Sequence, residues 1–217
     1  LLRLQYQKNI SSAEKNKIDE ALINLKYRKT GLAQAVIKQR IKKEKDKQRQ
    51  ANLSLYLASF KYFDSKGSAL KIYKKILIID PGNIFALNAT ANLYTEMRRW
   101  KKAIAANNNI IQYARTNNKQ IILSAALANL GVIYQKQKHY HLAEKYYSEA
   151  LQINTNLNRR KEMAAQYVNL AILYERQKKI TEACMNYRKA KIIFHKDFHD
   201  DLALTIERKI THLRCRH

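Results

Sequence analysis

In residues 130–151, LGVIYQKQKHYHLAEKYYSEAL, apolar and small side chains recur at helical intervals. Leu130, Ile133, Tyr134 and Gln137 fall at i, i+3, i+4 and i+7 and predict one amphipathic helix. Tyr140, Ala143, Tyr147, Ala150 and Leu151 predict a second. The polar stretch QKQKH separates them. Small Gly131 and Ala143 would let the two helices approach closely, and Tyr134 and Tyr147 would fill the volume around that contact.

The layout returns 40 positions later in residues 170–191, LAILYERQKKITEACMNYRKAK. Leu130/Leu170, Tyr134/Tyr174, Ala143/Ala183, Tyr147/Tyr187 and Ala150/Ala190 are identical, and Gly131 aligns with small Ala171. Identity is concentrated at packing positions while exposed ones drift, as in a repeated packing unit. Upstream, residues 54–83 match through Phe60, Ala69, Tyr73 and Pro81. A weaker unit between them has Ala91, Tyr94 and Ala103, with Asn107 where an aromatic is expected.

This order of large, small and aromatic residues, then small, aromatic and Ala, resembles the tetratricopeptide repeat, partly in its longer 40-residue form. The resemblance implies an all-α, right-handed α-solenoid of helix–turn–helix units. Four units are expected in residues 50–197, starting near 50, 84, 124 and 164. Residues 1–49 read as a basic helical segment or as a degenerate repeat, with Leu22, Tyr27, Gly31 and Ala35 near repeat-like places. In residues 198–217, Leu202, Ile206, Ile210 and Leu213 form an apolar stripe expected to cap the open end of the array.

Composition agrees with helices: 4 Gly and 1 Pro are few for a protein built on hairpin turns. The net charge of +25 changes the picture more. A positive field of that size draws anionic partners. Lys exceeds Arg by 28 to 14, and Asn and Ile are abundant, which an AT-rich genome, such as a bacterial one, would also produce. Both readings stay open. The densest run, residues 38–50, carries Lys38, Arg40, Lys42, Lys43, Lys45, Lys47 and Arg49. It reads either as a solvated helix face or as a patch for nucleic acid or anionic lipid. RRWKK (98–102) and NRRK (158–161) sit near helix turns and could line one edge, although no stacking platform is apparent.

Catalytic chemistry finds little material. No HExxH, phosphate loop or GxSxG occurs. No cofactor, metal or small-molecule substrate is expected. His139 and His141 read as surface residues; His195, His199, Asp200 and Asp201 make a weak metal-like grouping. Cys184 reads as a buried thiol and Cys215 as an exposed one, with no disulfide pattern, which fits a reducing compartment. A cytoplasmic location is favoured. Because the chain opens LLRLQYQK, a processing or cloning boundary is expected there, and an anchored or exported form stays open.

The resemblance further implies a concave groove lined by the first helix of each unit, holding a peptide or helix of another protein. Carried over, its positions fall on Phe85, Asn88 and Asn92, on Asn129, Val132 and Lys136, and on Val168, Asn169, Ile172 and Arg176. Val132, Val168 and Ile172 would form an exposed apolar strip, Asn129 and Asn169 polar anchors, and Lys136 and Arg176 charge selection. Either a partner or one of the chain's own terminal helices could occupy the strip. Ser54, Ala58, Ala128 and Val132 stand where a carboxylate clamp would need Lys, Arg or Asn, which argues against binding of chaperone tails. The expected function is a non-enzymatic protein–protein adaptor. The alternative is a basic adaptor for nucleic acid or anionic membrane.

Overall fold

The computed structural model describes residues 30–196 and 200–215. The positions Leu22, Tyr27 and His199 lie outside them. The described residues form ten α-helices and no strand, an all-α solenoid of helical hairpins. The chain divides into two compact units, Leu1–Thr90 and Ala91–His217.

In the first unit, α1 (Thr30–Lys43), α2 (Lys47–Asp64) and α3 (Lys66–Ile79) are followed by α4 (Ile84–Glu96), within which the unit ends. Ile37, Tyr56, Leu57 and Phe60 form its core, with Ile41 and Ile72 packed against them. Ser65 ends α2 and caps α3, its hydroxyl accepting from the Ser68 amide at 3.3 Å. Pro81 lies in a tight turn closed by Asp80, which accepts from Asn83 Nδ2 at 3.0 Å; Asn83 in turn caps α4.

The second unit continues with α5 (Trp100–Thr116), α6 (Gln120–Lys136), α7 (Tyr140–Asn156), α8 (Arg160–Arg176), α9 (Ile180–Lys196) and α10 (Asp200–His212). From α5 to α9 each helix has 17 residues and starts 20 after the last. The 40-residue repeat is thus two equal halves. Arg98, Asn118, Lys138, Asn158 and Lys178 hold the same place in successive links, all with positive φ. The following amide reaches back five residues in every link, as in Arg99 to Tyr94, His139 to Tyr134 and Lys179 to Tyr174 (2.8–2.9 Å). This is the Schellman cap, with its left-handed residue just past the helix end. Only two of the five are Asn and none is Gly, so nothing in residue type announces the shared geometry.

Consecutive helices pack along α5–α6–α7–α8–α9–α10. Gly131 sits against the ring of Tyr147, and a methyl there would lie 2.5 Å from two ring carbons. Tyr147 is fully buried and donates from its hydroxyl to Gln135 Oε1 at 2.6 Å. One repeat on, Tyr187 donates to Glu175 Oε2 at 2.9 Å. One repeat back, Asn107 and Thr95 hold those positions. Asn107 is fully buried, its amide bonded to Ala103 O, and Thr95 bonds Ala91 O of its own helix. The aromatic and its acceptor are both lost from that unit.

Candidate functional site

The residues predicted to line a groove belong to both units. In the first, Phe85 is 48% exposed and Asn88 is half-buried, its carbonyl oxygen buried and without a hydrogen-bond partner among the described residues. In the second, Asn92 is exposed on the end of α4.

Helices α6 and α8 present matching stripes. Ala125 and Ala165 are exposed, Asn129 and Asn169 half-buried, Val132 and Ile172 half-buried, and Lys136 and Arg176 exposed. The match follows from the 40-residue period and from both helices having the same length and caps. Asn169 Nδ2 donates to Gln166 Oε1 at 3.3 Å, which orients its amide. The Asn129 amide has no hydrogen-bond partner among the described residues. Arg176 lies near Tyr147, where its charge opposes part of the upward pKa shift that burial imposes on that phenol.

The apolar strip is not open as the sequence suggests. Val132 packs against a cluster of Ala143, Tyr147, Leu170 and Leu173. Val168 and Ile172 pack against a cluster that includes Tyr187, Phe194 and, from α10, Ala203 and Ile206. Each helical unit is too narrow to bury its own apolar face, so the next helices take up that surface. At the fourth repeat the chain's own C-terminal helix shares in covering it. Ile206, Ile210 and Leu213 face this cluster, whereas Leu202 is 42% exposed and Ala203 takes the inner place expected of it.

The cysteines overturn a second expectation: Cys184 and Cys215 form a disulfide, with Cα atoms 5.7 Å apart. Cys184 lies near the start of α9, and Cys215 just after α10, so antiparallel packing brings the distant pair together. Cysteine usage therefore gives no argument for a reducing compartment. Arg188 donates to Cys215 O at 3.4 Å, Lys191 pairs with Glu207, and Lys209 with Glu175 at 3.5 Å, all tying α10 to its neighbours.

The basic run from Lys38 to Arg49 is not one helix face. It spans the end of α1, a three-residue link and the start of α2. Its acids shape the link: Asp46 accepts from the Arg49 amide at 2.7 Å, and Glu44 from the Asp46 amide at 3.1 Å. Lys38, Lys42, Lys43, Lys45, Lys47 and Arg49 are exposed, while Arg40 is half-buried. His195 and Asp200 approach to 3.2 Å as an exposed pair, and no group of three metal-type ligands occurs among the described residues. None of the described helices is long and apolar enough to cross a membrane.

Residues 122–191 match the family model for the tetratricopeptide repeat. These residues carry tetratricopeptide repeats. No curated protein matches it by sequence. Among solved structures it is similar to the apo form of RapI, with a TM-score of 0.75 and 12% identity over 88% of this chain and 74% of that one. Aspartyl phosphate phosphatase F from Bacillus subtilis gives 0.78 and 16%, with 88% of this chain covering 53% of that one. The chain thus spans about half of that phosphatase. PlcR from Bacillus thuringiensis, solved with the peptide PapR7 and DNA, gives 0.65 and 18% over 96% and 77%. At such identities the likeness concerns the fold alone. The tetratricopeptide units account for the Gly131–Tyr147 contact and for the matched α6 and α8 stripes.

Proposed function

We propose that the chain is a non-enzymatic interaction module that holds an extended segment of another protein on the α6 and α8 stripes. The observation that carries this reading is their repetition: small Ala125/Ala165, amides Asn129/Asn169 and cations Lys136/Arg176, in register at 40 residues. The small residues leave room for a backbone. The amides can hydrogen-bond that backbone, and the cations favour acidic side chains beside it. PlcR, of similar fold, is known in complex with a peptide. Val132, Val168 and Ile172 drop out of the contact set because they pack against core clusters.

Selection of displayed random peptides on the immobilised chain tests this. Enriched peptides should bind Asn129→Ala/Asn169→Ala and Lys136→Glu/Arg176→Glu variants at least about tenfold more weakly, a loss of about 1.4 kcal/mol. Peptides that bind all three proteins equally would place recognition elsewhere and overturn the reading.

A further inference from the structure

The unit from Ala91 onward has two ends, and they differ in charge. Consecutive helices reverse direction at each three-residue link and pack on one another. The links after α4, α6 and α8 therefore share one end, and those after α5 and α7 the other. RRWKK and NRRK consequently lie at opposite ends, not along one edge.

At the first end, residues 96–102, 136–141 and 176–182 carry nine lysines and arginines against two acids, Glu96 and Glu182. Arg98, Arg99, Lys101, Lys102, Lys136, Lys138, Arg176, Lys178 and Lys179 are all exposed. Among the described residues, no carboxylate pairs with any of them. At the other end, Arg115 is paired with Glu149 and Arg159 with Glu162. Composition alone would raise the charge at both ends and does not explain the larger share of unpaired cations at this one. Three identical Schellman caps hold the backbone of this edge, so the cations stand on a regular frame.

The register also places aromatics among them. Trp100 and Tyr140 are the first residues of α5 and α7, directly after the cationic links; Trp100 is half-buried, and Tyr140 packs against the core cluster of Ala143 and Tyr147. Trp100 lines a shallow depression of about 280 Å³ with Arg99, Lys101 and Lys102. Cations that follow a phosphate backbone, interleaved with rings on which bases stack, are the pattern for sequence-tolerant binding of single strands. No helix projects from this edge to enter a duplex groove.

We propose that this edge binds single-stranded nucleic acid, its cations on phosphates and Trp100 stacked on a base. The surface is separate from the α6/α8 stripes except at Lys136 and Arg176. The test is fluorescence anisotropy with a labelled single-stranded oligonucleotide over a range of salt. A duplex of the same sequence, polyglutamate and anionic phospholipid vesicles serve as rival ligands.

Lys101→Glu/Lys138→Glu/Lys178→Glu should weaken the single strand at least about tenfold and lower the slope of log K against log salt by about 2. Trp100→Ala should weaken it about fivefold or more. Lys43→Glu/Lys45→Glu/Lys47→Glu, with the same change in net charge, should cost less than about twofold. Circular dichroism and melting temperature confirm that each variant is folded. Equal losses in the two triple variants would make the attraction a diffuse field and overturn the site. Preference for duplex, polyglutamate or vesicles, or indifference to Trp100→Ala, would overturn the single-strand assignment.

Discussion

At the scale of single residues, Gly131 leaves no room for a side chain against Tyr147. The ring is fully buried and tied by its hydroxyl to Gln135, so it has nowhere to move. Gly131→Ala should cost about 2 kcal/mol through overpacking, read as a lower urea midpoint. An unchanged midpoint would mean that the helices can slide apart at this point. The buried phenols set a second expectation. Burial, then the hydrogen bond to the Glu144 carboxylate (2.6 Å), pushes Tyr174 up to about 12. Burial, then Glu175, raises Tyr187; burial also raises Tyr147. In the unfolded chain these groups ionise near pH 10. Their stabilising contribution is therefore complete below about pH 10. Above it the unfolded state binds fewer protons than the folded one, and stability falls as pH rises toward the folded values. A spectrophotometric tyrosine titration should show a late group coinciding with alkaline unfolding. A single transition near pH 10 in the folded protein would contradict this.

At the scale of elements, the repeated feature is a 17-residue helix closed by a left-handed residue, and the exceptional one is α10. Its packed face carries only Ala203, Ile206 and Ile210, with Leu213 just beyond, so covalent attachment matters more here than inside the array. The disulfide closes a loop of 31 residues, which corresponds to about 3–4 kcal/mol of unfolded-state entropy. Cys184→Ser/Cys215→Ser should lose about that much, concentrated in α10. Solenoid stability is set mainly between neighbours, so amide exchange should accelerate in α10 while α6 and α7 keep their protection. Unchanged exchange in α10 would show that its apolar face alone is sufficient. The apolar stripe of α10 was legible in the sequence through Ile206, Ile210 and Leu213. The disulfide was not, because two cysteines 31 residues apart carry no signature until antiparallel packing brings them together.

At the scale of the whole molecule, the question is where an excess of 25 positive charges acts. Along the chain the densest basic run is residues 38–50. The folded chain breaks that run with a link and uses its two acids in backbone hydrogen bonds. It gathers a different set, contributed by three separate links, at one end of the second unit. The edge variants belong to this scale, since no single cation there is distinctive and only their collection at one end is. The salt slope measures that collection directly.

What the sequence by itself determined is the repeat and its packing code. Leu130, Gly131, Tyr134, Ala143, Tyr147 and Ala150 report burial through spacing, because a helix places every third or fourth residue on one face. The pairing of Asn129 with Asn169 and of the cations Lys136 and Arg176 at 40 residues was also readable, since both helices share one period. Only the tertiary structure decided that Val132, Val168 and Ile172 pack inward, that Cys184 meets Cys215, and which turns share an end. Periodicity locates a face along one helix. What lies against that face depends on which other helix the chain folds back to place there.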